Sequence, residues 1–436
     1  MTLQFLVKQL ALRFPPHKGL RRQTKVYLMK KNNVALINAA RKGPFILSGA
    51  YAGANTLTSL IPSLYAGMDI VSRELVGFIP SVTRNVSAER AAVSENVTYP
   101  ISPTMAAADV VPAMAVPEPT DRTVSNGTIS ITKSRQVNFG FIGEEQRGLN
   151  NGPGYSTIQA DFFAQALRTL TNEIEADLAA EATAAACRAT GTAGTTPFAS
   201  TVGGTAQLGK ILDDNGCPKS ERSLIIDTTA GANLRTLSQL TKVNEAGTSM
   251  TLRDGELLNL NGFSIKESAG ILTKTAGTGA SATTNNAGYA VGSTTFTLAS
   301  AGTGTILAGD YITFAGDSNV YLVTSGDADV SNGGTITIAE PGIRVAMSAA
   351  TKAITVVAAS TRNIGFTRSA LHLVARAPAL PQEGDLAIDR MMLQDPRSGI
   401  AFEVSLYPGY RKIRAEVAMA WGVKAVAPRH IAALLG

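Results

Sequence analysis

Two clusters of acids and hydroxyls offer the first chemistry to test. Gly316-Asp317-Ser318 has the composition of a hydrolase nucleophile block. It follows the alternating run Tyr311-Ile312-Thr313-Phe314 and precedes Val320-Tyr321, so the pattern predicts a hairpin loop there. No histidine lies in that segment to act as a base. Asp327, Asp329 and Ser331 stand at the first, third and fifth positions of a calcium loop. The turn glycine is displaced to Gly333, and the twelfth position, where the ion needs a bidentate Glu, is Ile338. Gly277-Thr278-Gly279 lacks the following helix whose N-terminus would meet a phosphate, and reads as a connection.

The remaining reactive side chains are equally dispersed. Glu144-Glu145 and the set Glu173, Glu175, Asp177 and Glu181 could do acid–base work, but their helical positions put them opposite or beside an apolar stripe, so a solvated face is expected. Cys187 and Cys217 have no basic residue and histidine pair to make a thiolate, apart from Arg188, and both read as structural. With only His17, His372 and His430 to join them, they cannot form a zinc module. No residue is therefore expected to be catalytic, to hold a metal or to bind a cofactor.

The elements that carry these residues are easier to read. Ile158, Phe162, Ala166, Leu170, Ile174 and Leu178 fall at spacing four, widened by Phe163 and Leu167, with neither Gly nor Pro between Thr157 and about Ala189. This predicts one helix of about 30 residues and about 45 Å, a spine lying across a sheet. Before it, Ile129 and Ile131, then Val137, Phe139 and Phe141, alternate as half-buried strands. Five prolines between Asn96 and Asp121 (Pro100, Pro103, Pro112, Pro117, Pro119) make that stretch an extended loop. Leu57, Leu60, Ile61, Leu64, Ile70 and Val71 predict a short helical arm ending near Pro80. After the spine, Ser223-Leu-Ile-Ile-Asp227 reads as a buried strand, 229–240 as a helix and 262–265 as a strand. Between Leu272 and about Ser360 the chain turns to Thr, Gly, Ala and Ser. There Phe296/Leu298, Ile312/Phe314, Tyr321/Val323, Ile336/Ile338 and Ile354/Val356 alternate, and Asn332-Gly333-Gly334 marks a turn. This predicts a small β-barrel or sandwich inserted into the mixed domain that resumes after Arg362.

The charge is segregated. Of 436 residues 17% are charged and 44% hydrophobic, which excludes a disordered chain and charge-laced coiled coils and suits large protein contacts. Ten of the 39 basic residues (Lys8 through Lys42) lie in residues 1–53, which hold no acid. The other 29 face 33 acids, so residues 54–436 carry about −4. A nucleic-acid reader would place its excess on the folded module. As a targeting signal the leader fails because Asn38, Arg41 and Lys42 interrupt its apolar stretch, and the uncharged run Gly43 to Met68 holds too many Gly, Pro and Ser for a membrane helix.

The C-terminal third carries a resemblance. Asn363-Ile364-Gly365-Phe366-Thr367-Arg368-Ser369-Ala370-Leu371-His372-Leu373-Val374-Ala375-Arg376, then Leu380-Pro381, resembles a strand of tailed-bacteriophage major capsid proteins. Asp395 to Val404, Trp421-Gly422-Val423 and Pro428 to Ala432 resemble that family's closing segment, and Leu307 to Gly316 is similar to the inserted β-domain of the Salmonella short-tailed phage coat protein. The order of arm, extended loop, spine, mixed domain and closing strands also matches. The resemblance covers residues 54–436.

It implies an α+β chain with the Hong Kong phage type of capsid fold: N-arm, extended loop, long spine helix, peripheral and axial domains, and an inserted small β-barrel. The implied divisions are 1–53, a basic leader that is disordered or absent from the mature protein; 54–95, the arm; 96–140, the extended loop and peripheral strands; 141–200, the peripheral domain with its spine; 201–271, the axial domain; 272–360, the inserted module; and 361–436, the axial remainder and closing strands. The expected role is structural and not enzymatic: hexamers and pentamers of itself in an icosahedral shell around non-specifically held double-stranded DNA. Scaffolding and portal proteins would be partners, assembly would take place in the bacterial host cytoplasm, and no membrane is involved. The rival expectation is a secreted or cell-surface β-rich adhesin, suggested by the Thr/Gly-rich module.

Overall fold

The computed structural model describes residues 76–101, 123–149, 155–237, 259–394 and 399–436, with isolated positions between 102 and 122 and at 240. The chain divides into two units, Met1–Leu60 and Ile61–Gly436. The basic leader and the expected helical arm over 57–71 lie outside the described residues, as does the segment 395–398 of the closing motif.

From its first described residues the chain makes a 3-10 turn, Ile79–Ser81, entered through Pro80, and runs into β1, Thr83–Ala91. Residues expected to belong to an arm thus form a strand that pairs in parallel with a distant partner, which no local pattern announces. Next come β2, Asn96–Ile101, β3, Ser125–Ser130, and β4, Lys133–Ile142. β2 and β3 pair only with each other, so Pro100 in β2 interrupts no ladder beyond this ribbon. A short helix α1, Gly143–Leu149, precedes the spine α2, Tyr155–Ala185.

The 31 residues of α2 span about 46 Å. Ala166, Leu170, Ile174 and Leu178 are buried as the spacing predicts, with Phe163 and Leu167, which widen the stripe, whereas Phe162 is 44% exposed. Phe162 thus departs from the expected stripe. The reason lies on β4, where Phe139 meets Phe163 edge-on at 4.8 Å and stacks on the inner side of Phe162 at 5.4 Å. The helix also ends four residues earlier than its composition allows. The Cys187 amide donates to the Ile431 carbonyl at 3.0 Å, and β5, Arg188–Gly191, is captured by neighbouring strands.

After β5 come α3, Gly203–Asp214, β6, Arg222–Ile226, and α4, Thr228–Thr236, whose first turn is capped by Asp227 accepting from the Thr229 amide. All five residues of β6 are buried, as a central strand requires. β7, Asn259–Leu260, β8, Phe263–Glu267, and β9, Thr273–Lys274, lead into β10, Thr295–Leu298, β11, Tyr311–Phe314, β12, Val320–Ser325, β13, Gly334–Ile338, and β14, Ile354–Val356. The five alternating pairs expected for the module fall one in each of these last five strands. Their inward residues, Phe296, Leu298, Ile312, Phe314, Tyr321, Val323, Ile336, Ile338 and Ile354, share one apolar cluster. The chain closes through β15, Ser360–Thr367, β16, Leu371–Pro378, β17, Asp389–Gln394, β18, Ala401–Gly409, β19, Lys412–Ala425, and β20, Ile431–Leu435.

Two sheets organise the described residues. A six-stranded sheet runs β1-β16-β19-β18-β17, with β4 also pairing β19, and α2 lies across β4 and β19. A twelve-stranded sheet runs β10-β13-β12-β5-β20-β15-β6-β8-β7, with β9, β11 and β14 off this path. The module strands continue the second sheet, because Val320 and Tyr321 of β12 pair with Ala189 and Arg188 of β5.

Candidate assembly interface

At the β2–β3 ribbon Ile101 is 44% exposed and Val124 58%; Met105 at 77% and Val110 at 95% are exposed positions in the sequence between the two strands. The root is the opposite case: Ile129 and Ile131 are buried against Ala91, Val374 and Ala420, with Val97, Tyr99 and Val426 packed around them. Two glycines make that seat possible. A Cβ on Gly127 would lie 2.2 Å from the Tyr99 ring, and one on Gly422 would lie 2.0 Å from the Ser130 carbonyl oxygen, where the ribbon crosses β19. A two-stranded ribbon is marginal by itself in water, so the buried root holds it and leaves its far end apolar and unpacked.

The acids of the spine are not the solvated face that the sequence suggests. Glu175 is 3% exposed. Its carboxylate accepts from three successive backbone amides, Gly77 at 2.7 Å, Phe78 at 2.8 Å and Ile79 at 3.1 Å, and from the Ser268 hydroxyl at 2.6 Å. Burial pushes this carboxyl up, against the four donors that hold it down. Lys266 donates to Ser81 at 2.8 Å, and the Ser81 hydroxyl donates to the Gly77 carbonyl at 2.7 Å, so the strand entrance, the spine and β8 meet at one polar junction. On the sheet side, Lys133 bridges Glu173 at 3.1 Å and Asp177 at 2.8 Å, and these carboxylates raise its ammonium value. Asp177 also accepts from the Trp421 indole at 2.9 Å, and Glu181 from the Ala425 amide at 3.0 Å. The signal available in sequence was the spacing of Glu173, Asp177 and Glu181 at i, i+4 and i+8, which aligns them on one side of the helix.

The other candidate chemistry is scattered. Gly316-Asp317-Ser318 forms the turn between β11 and β12, where Asp317 accepts from the Asn319 amide and the Tyr321 hydroxyl. Asp327 and Asp329 cap the amides of Asp329 and Ser331, as turn carboxylates do. Among the described residues no group of three or more His, Cys, Asp or Glu side chains is placed to hold a metal ion. Gly277 instead donates its amide to the buried Asp310. Glu144 and Glu145 are exposed on α1, with Glu145 accepting from the Ile142 amide. Cys187 and Cys217 are buried free thiols, and burial pushes Cys187 up to about 11. No described helix is long and apolar enough to cross a membrane.

One polar ring joins the module to the body. Arg188, 4% exposed, donates to Asp214 at 3.3 Å and to Asn319 at 2.7 Å. The Tyr321 hydroxyl accepts from the Arg344 amide, and the Arg344 guanidinium donates to the Asp214 carbonyl. A second tie is Arg362, stacked 4.6 Å over Tyr311 and donating to the Gly309 carbonyl at 2.6 Å. The arrangement offers no reacting constellation; it holds surfaces in fixed relation.

No family model matches the sequence, and no curated protein matches it. Solved structures that are similar to the chain include the capsid of the cyanophage P-SCSP1u, at 14% identity over 83% of this chain and 88% of that one, with a TM-score of 0.45. Others are Mycobacterium phage Che8, at 13% identity over 79% and 85% with a TM-score of 0.41, and the mature capsid of bacteriophage PhiM1, at 10% over 82% and 86% with a TM-score of 0.41.

Proposed function

We propose that the chain is a major capsid protein that self-associates into the icosahedral shell of a tailed bacteriophage or prophage around double-stranded DNA. The observation that carries this reading is the ribbon: a rooted hairpin with Ile101 and Val124 exposed at its far end, and with Met105 and Val110 exposed in the sequence between its strands. Apolar surface held away from its own core is surface meant for another molecule. In a homo-oligomer each copy presents the same ribbon, and head-to-tail contacts through it close into rings where the rotation between copies permits. The mildly acidic balance of residues 54–436 avoids clamping DNA through its phosphates.

On this reading residues 96–200 with the spine form the peripheral domain, residues 201–271 and 361–436 the axial domain with its closing strands, and residues 272–360 the inserted β-barrel of the Salmonella short-tailed phage branch. Scaffolding and portal proteins are the further partners, and the role is structural. Residues 1–53 are dispensable for the fold.

Negative-stain microscopy and sedimentation of the expressed chain, with scaffold supplied, test the assignment. Closed shells are expected from the full chain and from one beginning at Ala54. Met105→Glu and Val110→Glu should leave folded subunits that fail to assemble. A chain that stays monomeric under all assembly conditions, or glutamate variants that assemble as the wild type does, would overturn the reading.

A further inference from the structure

His372 sits at the ribbon's root and is used by nothing described so far. On β16 it lies opposite Thr83 of β1 and Lys424 of β19. Its ring faces Tyr99 of β2 with centroids 6.0 Å apart and planes tilted by 38°, and it is hydrogen-bonded to the Ser369 backbone. Lys424, leaving the sheet on the same face, donates to the Thr128 carbonyl of β3 at 2.7 Å. Between them these two neighbours touch both strands of the ribbon.

We propose that His372 is a proton-operated latch: as a neutral ring it seats the ribbon on the six-stranded sheet, and as an imidazolium it releases it. The groups around it do not welcome a second cation. β19 contributes Lys424, directly opposite it, and the ribbon contributes the Tyr99 phenol. Two acids on neighbouring elements, Glu181 of α2 and Glu95 before β2, accept from the Ala425 and Ala92 amides. Burial pushes the imidazole below its ordinary value, against the Ser369 hydrogen bond. The sign follows from linkage. A base whose folded value is depressed favours the fold in its neutral form, so its contribution is complete above about pH 6.5 and is lost as pH falls through the folded value. The inference concerns attachment within one chain and stands apart from the ribbon's use in assembly.

Hydrogen exchange of the full chain, read on peptides spanning β2 and β3 at pH 7.5 and 5.0 and corrected for intrinsic rates, tests it. Protection of the ribbon should fall on acidification, by about tenfold for each unit by which His372 is depressed, while strands of the twelve-stranded sheet keep theirs. His372→Gln should abolish this response, and Lys424→Met should lower ribbon protection at both pH values while retaining it. Imidazole NMR of the wild type gives an independent reading, because the chain has only three histidines to assign. A His372 that titrates at or above its ordinary value, an unchanged pH response in His372→Gln, or a ribbon that tightens in acid as a cation–π contact with Tyr99 would require, overturns the proposal.

Discussion

Glu175 shows how much a single side chain can bear when it enters a helix interior as a charge. Its carboxylate faces three amides that have no other acceptor at the start of the 3-10 turn. Removing it orphans buried donors, each at a cost of about 1–3 kcal/mol. Glu175→Ala should therefore destabilise the subunit by about 3 kcal/mol or more in urea unfolding. Glu175→Gln, which keeps one acceptor oxygen but turns an amide toward donors, should fall between that and the wild type. Glu144→Ala on the exposed face of α1 is the control and should change stability by less than about 0.5 kcal/mol. Equal losses at 175 and 144 would mean that the junction contributes nothing.

The apolar stripe of α2 makes the helix testable at the scale of the element. Phe163 is fully buried while its neighbour keeps 44% of its surface in water. Phe163→Ala should cost about 3–5 kcal/mol, as large core truncations do, and Phe162→Ala clearly less. The reverse order in thermal unfolding would mean that Phe162, and not Phe163, faces the core. Ala166, 1% exposed in the same helix, tests its continuity. Proline there removes a hydrogen bond and clashes with the preceding turn, costing about 3 kcal/mol or more, so Ala166→Pro should abolish soluble subunits. Much of the element is legible in sequence, because a long run without Gly or Pro and with spacing-four apolar residues has few other solutions. The outward turn of Phe162 is not, since that depends on where β4 places Phe139.

For the whole molecule the question is how the module is attached. Its core is complete within residues 272–360, yet β12 pairs with β5 and Arg188 is hydrogen-bonded across the joint. An excised 272–360 fragment should fold, giving dispersed amide resonances, and should self-associate, because excision bares the edge of β12. A random-coil spectrum would show that the module needs the body's strands. Arg188→Met in the full chain should leave the module folded but loosen its joint, read as faster exchange in β5 and β12 alone.

By itself the sequence determined everything set by short-range periodicity. Tyr321 and Val323 alternate because one face of their strand must be dry, and Thr157 to Ala185 is helical because nothing in it disfavours a helix. Tertiary structure alone decided which partners distant segments found. It made Thr83–Ala91 a strand, turned the spine's acids from a solvated face into fasteners, fused the module to the second sheet through β5, and put His372 beneath Tyr99. Each of these is a contact between residues far apart along the chain, whose energy depends on burial and on donors supplied by another element. No local pattern encodes that, because an acid on a helix has the same spacing whether it meets water or three backbone amides.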